Sequence, residues 1–371
     1  MPGQAVRQTV IKQAKRIVVK VGTSAITDET GRLDQRTVRR LAGQIADVMK
    51  SGISVTLVAS GAIGAGVAEL DLPARPRTLP MLQAVAAVGQ GQLMRTFHDA
   101  MQRRKLRVAQ ILLTRDDFED RTRYLNIRNT LIALHEAGVL PILNENDAVA
   151  VDEIRYGDND IIAAHVTNML GGDLLVMLTT VDGVMKGAAV LDVIERVDED
   201  VMALATRKGN RLGSGGMTSK LTAAGLVIRA GEAAVIANAR TPNVLKRLLE
   251  GEEIGTVFVP AKRKLTSRRR WIGQAARTAG QIIIDPGASQ ALLERGKSLL
   301  PSGIRSVKGN FPKGATVSVL DIHGNEIARG LTNYPSGQLE KIRGRRTSQI
   351  AKILGDKPYD EVIHRNNMTL S

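Results

Sequence analysis

The stretch RIVVKVGTSAIT, residues 16–27, decides how this 371-residue chain folds. It begins with a short run of isoleucine and valine, which is typical of a strand that is buried on both faces. Lys20 lies near the end of the run, and Gly22 with two hydroxyl residues follows at the turn. A lysine in that place either extends its head into solvent or faces a phosphate beside backbone N–H groups freed by the glycine. The stretch leaves both interpretations open.

Further apolar runs of the same kind follow, and most are separated by amphipathic stretches. The runs are ISVTLVA (53–59), RVAQILL (107–113), VLPIL (139–143), DLLVML (173–178) and EAAVIA (232–237). Apolar residues recur at helical spacing over 34–49, 80–101 and 126–137. The alternation predicts an α/β fold, a three-layer αβα sandwich whose sheet is mainly parallel. Ligands of such sheets bind beyond the carboxyl ends of the strands.

The pattern changes after residue 260. Residues 262–270, KRKLTSRRR, carry six cations, which predicts either a solvated linker or a phosphate-binding patch. Short alternating runs then occupy 280–285, 315–321 and 326–332, with turn signals such as DPG and HGN between them. The C-terminal part is therefore predicted to be a small β-rich domain.

Composition limits the class of function. The net charge of +15 favours anionic partners, such as nucleotides, acidic metabolites or nucleic acid. Aromatic residues make up only 2 %, which disfavours a single-strand nucleic-acid binder that stacks bases on exposed rings. The absence of cysteine excludes disulfides and thiolate chemistry, and it suits a cytoplasmic protein. We expect no membrane segment, since no apolar run approaches the length needed to span a bilayer.

Two polar segments follow predicted strands in the first half of the chain. VASGAIGAG (58–66) places Ser60 and three glycines where a helix begins, either to bind an anion or to allow tight packing. PILNENDAVAV (141–151) forms either a capped turn or a set of partners for a ligand amine. Its polar residues are Asn144, Glu145, Asn146 and Asp147.

Two more segments place charge where a helix begins. YGDNDIIAAHVTNML (156–170) opens with Asp158, Asn159 and Asp160, more than one N-cap needs, which favours orienting lysines or holding Mg²⁺. RLGSGGMTSK (211–220) places glycines, hydroxyl residues and Lys220 directly before a predicted helix. This combination is typical of a phosphate cradle, a loop that binds phosphate through backbone N–H groups and a lysine. The cradle is not a Walker A loop, because Ser219 precedes the lysine and Leu221 follows it.

In this order, VVKVGTS, VASGAIGAG, LPILNENDAV, YGDNDIIAA and GSGGMTSK resemble the amino-acid kinase family. The resemblance is closest to the members that phosphorylate the γ-carboxylate of L-glutamate. Residues 285–314, DPGASQALLERGKSLLPSGIRSVKGNFPKG, resemble the PUA domain that bacterial members append. The resemblance implies a catalytic domain over 1–260, a basic linker over 261–277, and a PUA-like domain with the C-terminal tail over 278–371.

The resemblance also implies an activity and a role for each matched residue. The reaction uses ATP and Mg²⁺ and gives γ-glutamyl phosphate, the first intermediate of proline synthesis. Lys20 and Lys220 would face the transferring phosphoryl group, and Asp160 would orient both lysines. Mg²⁺ would be held mainly through the ATP phosphates, with Asp158 or Asp160 as candidate ligands. Glutamate would be held by Ser60, Asp147 and Asn159, with Asn144 and Asn146 nearby. The ATP site would be lined by Lys20, Thr179, Thr180, Ser214, Gly215, Gly216, Met217, Thr218, Ser219 and Lys220.

The expected partners follow from the same resemblance. They are a homo-oligomer, as dimer or tetramer, inhibition by proline, and functional coupling to glutamyl-phosphate reductase. One segment departs from the family pattern: in LTTVDGVMKGAAVLD (178–192), Thr180 replaces an acid and no tyrosine follows Gly183. The adenine and ribose contacts therefore do not carry over.

Two alternatives stay open. One is a kinase for another small substrate, such as acetylglutamate, aspartate or a nucleoside monophosphate. The other is an RNA-binding or RNA-modification factor, because PUA domains resemble RNA-binding modules and KIRGRR (341–346) is basic. RNA binding by the C-terminal domain is not expected, since aromatic residues are scarce.

Overall fold

The computed structural model describes residues 7–28, 30–149, 159–206, 216–261 and 264–370. The chain divides into two compact units. The first comprises Met1–Asp117 with Thr122–Lys264, and the second comprises Phe118–Arg121 with Leu265–Ser371. In the described parts of the chain, no helix is both long and apolar enough to cross a membrane.

The first unit is built on an eight-stranded sheet of order β3-β4-β2-β1-β5-β9-β10-β8. Its strands are β1 Arg16–Val21, β2 Ser54–Ala59, β3 Arg107–Leu113, β4 Val139–Glu145, β5 Leu174–Thr179, β8 Val193–Ile194, β9 Ala233–Asn238 and β10 Thr256–Phe258. A separate hairpin pairs β6 Met185–Lys186 with β7 Ala189–Val190. Neighbours from β3 to β9 are parallel and β10 runs antiparallel to β9, so the predicted mainly parallel sheet is confirmed.

Helices cover both faces of this sheet. They are α1 Thr23–Ile26, α2 Gln35–Lys50, α3 Ala62–Glu69, α4 Leu79–Gln102, α5 Arg115–Glu119, α6 Arg121–Glu136, α7 Asn159–Leu170, α8 Glu199–Thr206, α9 Met217–Arg229 and α10 Val244–Leu249. One face forms a core with α2, α4 and α10, in which Ile17, Val19 and Val21 of β1 are buried. Helices α7 and α9 contact β1, β5 and β9 on the other side. Since side chains alternate along a strand, Lys20 points toward the face of α7 and α9.

Arg7 anchors the far edge of this sheet. Its guanidinium is fully buried and donates to the carbonyl oxygens of Glu252, Ile254 and Gly255, at 3.1, 2.8 and 2.9 Å. It also pairs with Asp192, which leads into β8. A buried guanidinium has five donors to satisfy, and this cluster of carbonyls and one carboxylate supplies their partners.

Two glycines let α3 and α4 approach closely. A Cβ atom at Gly66 would lie 1.8 Å from the backbone oxygen of Val85, and one at Gly89 would lie 1.9 Å from that of Ala62. No side chain fits at either position. The glycine pattern of residues 58–66 is thus partly explained by packing, although the packing joins two helices and not a strand to a helix.

We expect Gly89→Ala to lower the free energy of unfolding by about 3 kcal/mol, which is the upper end of the usual cost of adding a group to a well-packed core. The new methyl group would collide with rigid backbone and force α3 and α4 apart. Gly91→Ala in the same helix is the matched control, because a Cβ atom added there would meet no other atom within 4 Å. The control should gain stability from helix propensity, by about 0.5–1 kcal/mol. Urea unfolding of both variants measures the difference, and equal stabilities would contradict the packing.

The second unit contains a five-stranded sheet of order β12-β11-β13-β14-β15. Its strands are β11 Gly280–Ile284, β12 Ile304–Lys308, β13 Thr316–Leu320, β14 Glu326–Leu331 and β15 Met368–Leu370, and its helices are α11 Ser267–Arg270, α12 Pro286–Leu293, α13 Ser336–Ile342 and α14 Ile350–Leu354. Its own core includes Ile282, Val317 and Leu339. The predicted small β-rich domain is therefore present.

Two details of the second unit differ from the sequence prediction. The DPG signal does not form a turn between strands, because Asp285 caps α12 by accepting from the backbone N–H of Ala288. The basic run is not solvated throughout, since it ends in α11, which is capped by Thr266 and holds a buried Arg270. The Arg270 guanidinium donates to the carbonyl oxygen of Leu265 at 3.0 Å, so a backbone acceptor compensates part of its burial.

Candidate active site

The candidate site is a cleft at the carboxyl ends of the parallel strands, where the strand order reverses. The chain passes from β1 to β2 on one side, and it later adds β5 to the other side. Crevices form at such a reversal because the connecting helices leave in opposite directions. The cleft has a volume of about 1910 Å³ and lies within the first unit.

The structure brings Lys20 and Lys220 of the cleft wall together on Asp160, which is fully buried and does not itself line the cleft. The Nζ of Lys20 lies 2.8 Å from Oδ1 of Asp160, and the Nζ of Lys220 lies 3.0 Å from Oδ2. All three side chains are buried, and the Asp160 side chain is 0 % exposed. One carboxylate thus holds two ammonium groups that come from β1 and α9, and both lysines line the cleft. Two cations beside one anion leave positive charge for an anionic ligand.

Burial and charge shift the pKa values of Lys20 and Asp160. Burial lowers the pKa of Lys20 and outweighs the opposing effect of Asp160, while Lys220 lowers it further. Burial alone would raise the pKa of Asp160, but the two ammonium groups hold it below its ordinary value. Asp160 is therefore a fixed negative charge that both lysines need.

Asn144 and Asn159 are joined by hydrogen bonds at the end of β4. The Nδ2 of Asn159 donates to Oδ1 of Asn144 at 3.0 Å, and the Nδ2 of Asn144 donates to Oε1 of Gln90 at 2.7 Å. Both asparagines line the cleft, whereas Gln90 reaches them from α4 and does not. Gln90 could not be anticipated from the sequence, because an amide on an amphipathic helix has no distinctive spacing.

Asp147 lies on the cleft wall after the end of β4, near Arg75. Burial raises the pKa of this carboxyl to about 6, although Arg75 opposes the shift. Ser60 also lines the cleft, directly after the end of β2, the strand that pairs with β4. Asn146 does not line the cleft, and its backbone N–H donates to the carbonyl oxygen of Leu113. The structure therefore does not bring Asn146 into the cleft wall with Asp147.

The other side of the cleft is formed by the N-terminus of α9 and the end of β5. Gly216 precedes the helix with no side-chain cap, so the first N–H groups of α9 are available to an anion. Thr179, Thr180, Met217 and Thr218 line the cleft here, but Ser219 does not. Ser214, Gly215 and Asp158 lie outside the described residues.

Some residues of the cleft wall were not anticipated from the sequence. The β6–β7 hairpin contributes Met185 and Lys186, and Arg40 and Arg240 add two further cations. Gly61 has a φ of 114°, a left-handed conformation that favours glycine at the turn into α3. No pattern in the sequence connects Arg40 with Arg240, because Arg40 lies on α2 and Arg240 follows β9.

The site can bind an extended anion between a helix N-terminus and two lysines, as phosphoryl-transfer enzymes require. In agreement with this, the model of the amino acid kinase family matches residues 15–238, and the model of the PUA domain matches residues 280–354. The chain belongs to the amino acid kinase family.

Full-length relatives give its place within the family. It is 47 % identical over 362 residues to a glutamate 5-kinase of Caldanaerobacter subterraneus subsp. tengcongensis, covering 96 % of this chain and 97 % of the relative. It is 45 % identical over 371 residues to a glutamate 5-kinase of Citrifermentans bemidjiense, covering 98 % and 100 %. Its place is among the glutamate 5-kinases.

A likeness to a solved structure concerns the fold alone. Carbamate kinase from Giardia lamblia bound to AMP-PNP is 19 % identical, with a TM-score of 0.48. The likeness covers 67 % of this chain and 100 % of the other.

Proposed function

We propose that this chain transfers the γ-phosphoryl group of ATP to the γ-carboxylate of L-glutamate, the first step of proline synthesis. The observation that carries the proposal is that the buried ammonium groups of Lys20 and Lys220 both contact the carboxylate of Asp160, at 2.8 and 3.0 Å. An acyl phosphate forms when one anion attacks another, so the main demand on the enzyme is neutralisation of charge. The two lysines supply that charge where the phosphoryl group would pass.

No general base is needed for this reaction. A γ-carboxylate has an ordinary pKa of about 4.3, so it is already ionised at neutral pH. Catalysis then depends on holding the two reactants in line and stabilising the charge on the transferring group. In this proposal, Lys20 and Lys220 stabilise the charge on the transferring phosphoryl group, and Asp160 orients both lysines.

We assign glutamate to the side of the cleft near β2 and β4. Asp147 would pair with the α-ammonium group, Asn159 would form a hydrogen bond with that same group, and Ser60 would form a hydrogen bond with the rest of the amino acid. This arrangement separates an amino acid from a plain dicarboxylate, because only the amino acid offers an ammonium group to the half-buried carboxylate of Asp147. The family relationship and the cleft geometry support this assignment.

ATP would lie along the opposite side, with its phosphates at the N-terminus of α9. Mg²⁺ would enter with those phosphates, where it would neutralise their charge. Asp160 does not fit as a direct ligand, since a lysine ammonium already lies beside each of its oxygens. Among the residues that the structure describes, no group of three or more acidic or histidine side chains is arranged to hold a metal.

The remaining partners are proposals that rest on the family. They are assembly as a dimer or tetramer, inhibition by proline, and functional coupling to glutamyl-phosphate reductase. A cytoplasmic location belongs with them. Size-exclusion chromatography with light scattering tests the first, and a proline titration of the activity tests the second.

The proposed activity is tested by trapping its product with hydroxylamine. We expect ATP turnover that depends on both L-glutamate and Mg²⁺, and that yields the γ-hydroxamate. Turnover with N-acetylglutamate or aspartate in place of glutamate would favour another kinase of the same family. Tight RNA binding that weakens steeply with salt, without any turnover, would favour the RNA-binding alternative.

Asp147 should make glutamate binding sensitive to pH. Its pKa of about 6 means that the carboxyl becomes protonated, and loses its attraction for an ammonium group, as the pH falls below that value. We therefore expect kcat/KM for glutamate to fall about tenfold per pH unit below the pKa. A pH profile of kcat/KM measures this.

Two variants control that profile. Asp147→Asn should have a low kcat/KM that no longer falls in the same range. Arg75→Ala removes the charge that opposes the rise in the pKa of Asp147, so the fall in activity should begin at a higher pH. A profile that is the same in all three proteins would contradict the assignment of Asp147.

A further inference from the structure

We propose that Gln90, which lies outside the cleft, is a positioning residue that makes the site select substrates carrying an ammonium group. Gln90 acts through Asn144 on Asn159, so that Asn159 presents a hydrogen-bond acceptor to the ligand. The inference rests on the proposed function, because it specifies how that site recognises the α-ammonium group of its amino acid.

The three amides form a chain with a definite direction. The Nδ2 of Asn144 donates to Oε1 of Gln90 at 2.7 Å, which turns Oδ1 of Asn144 toward Asn159. The Nδ2 of Asn159 then donates to that oxygen at 3.0 Å. Since an amide has one oxygen and one nitrogen, the Oδ1 of Asn159 is the atom left over.

That leftover oxygen is buried and has no hydrogen-bond partner among the described residues. Asn159 as a whole is only 8 % exposed, and it lines the cleft. A buried acceptor without a partner costs about 1–3 kcal/mol, so the site gains most from a ligand that donates to it. An ammonium group is such a donor, whereas a methylene group or a carbonyl oxygen in the same place is not.

Gln90 is held in place by the close packing of α3 and α4. Its neighbour Gly89 lies against the backbone of Ala62 and Gly66, with no room for a Cβ atom. Gln90 is itself 9 % exposed, and it does not line the cleft. The tightly packed helix therefore places the Gln90 side chain behind the site, where its Oε1 accepts from Asn144.

Without the Gln90 amide, both asparagines could rotate by half a turn. Asn144 would then donate to Asn159, and Asn159 would present its NH₂ group to the cleft instead of its oxygen. That group repels an ammonium and accommodates a substrate that lacks one. The direction of the chain, set from Gln90, thus decides which ligand is favoured.

The test compares L-glutamate with glutarate, its analogue without the ammonium group, in Gln90→Met and Gln90→Glu. Met fills a similar volume and has no amide, so the ratio of kcat/KM for glutamate to that for glutarate should fall at least about tenfold, equivalent to ~1.4 kcal/mol. The loss should lie mainly in KM for glutamate, because Gln90 is remote from the phosphoryl group. Glu keeps an acceptor for Asn144 and should restore the ratio.

Gln92→Met is the matched control, since Gln92 lies in the same helix and does not line the cleft. It should leave the ratio unchanged. If Gln90→Met keeps the wild-type ratio, or if Gln90→Glu loses as much selectivity as Gln90→Met, the inference on Gln90 is overturned while the kinase activity stands. A wild-type protein that does not phosphorylate glutamate would overturn the proposed function and this inference together.

Discussion

Lys220→Ala is expected to lower kcat by about 10²–10³-fold while changing KM for glutamate much less. The Nζ of Lys220 is buried against Asp160, and Lys220 lines the cleft in the first turn of α9. A fixed cation in such a place interacts most strongly with the charge that develops during transfer, because water is largely excluded there. Interactions made mainly in the transition state appear in kcat and not in KM.

Steady-state kinetics with the hydroxamate assay measure this effect, and Lys246→Ala is the control. Lys246 lies on α10 with its side chain 69 % exposed, so its loss removes the same charge from the surface. A control variant with unchanged kinetics would separate the local effect from the loss of one net charge. If Lys220→Ala instead raised KM for glutamate and kept kcat, Lys220 would belong to substrate binding and the proposed role would be wrong.

Asp160→Asn is expected to have the second large effect, on stability as well as on activity. The substitution keeps the shape of the side chain but leaves two buried ammonium groups without their counter-charge. Breaking a buried pair in this way costs about 3–5 kcal/mol. We also expect kcat to fall at least as far as in Lys220→Ala, because both lysines lose the group that orients them.

The loss of stability in Asp160→Asn should shrink as the pH rises. The pKa of Lys20 is already lowered by burial, and removal of Asp160 takes away the charge that raises it. In the range between the pKa of folded Lys20 and its ordinary value of about 10.4, the unfolded chain binds more protons, so stability increases with pH. Urea unfolding near neutral pH and at higher pH measures the trend.

Asp173→Asn is the comparison variant for the stability measurement. Its carboxylate is partly exposed and pairs with Lys264 at 3.5 Å, so its loss should cost far less, about 0–1 kcal/mol from the ion pair. The backbone N–H groups of Lys15 and Arg16 keep an amide oxygen as acceptor in that variant. Equal losses in the two variants would show that Asp160 is not a buried counter-charge.

Local patterns sufficed for the elements that build the site. The run RIVVKV coincides with β1, because a buried strand needs an uninterrupted apolar run and a turn directly after it. The run RVAQILL coincides with β3, but its predicted burial was wrong, because β3 is at the edge of the sheet and only Leu113 of the strand is buried. The same local patterns singled out Lys20, Ser60 and Asp147, since each lies at or just after the end of a parallel strand and such ends share one edge of the sheet. Thr180 came only from the family resemblance.

Local patterns did not show which side chains of a polar segment point into the cleft. Asn146 and Ser219 belong to the same polar segments as Asp147 and Lys220, yet neither lines the cleft. Which residue of a turn points inward depends on the backbone conformation there, and spacing alone does not fix it. The DPG signal misled for a related reason, because Asp-Pro begins a helix as readily as it forms a turn.

The sequence by itself determined the parallel sheet, the β-rich second unit and the residue types at the strand ends, because burial and turn chemistry are properties of neighbouring residues. Tertiary structure decided which of these groups meet. Lys20 and Lys220 are far apart along the chain, and only the packing of α7 and α9 on one face of the sheet places both on Asp160. Gln90 reaches Asn144 across 54 positions of sequence, from a helix that packs tightly on α3 through two glycines. Contacts between distant segments depend on how whole elements fit together, and that fit is not encoded in any single motif.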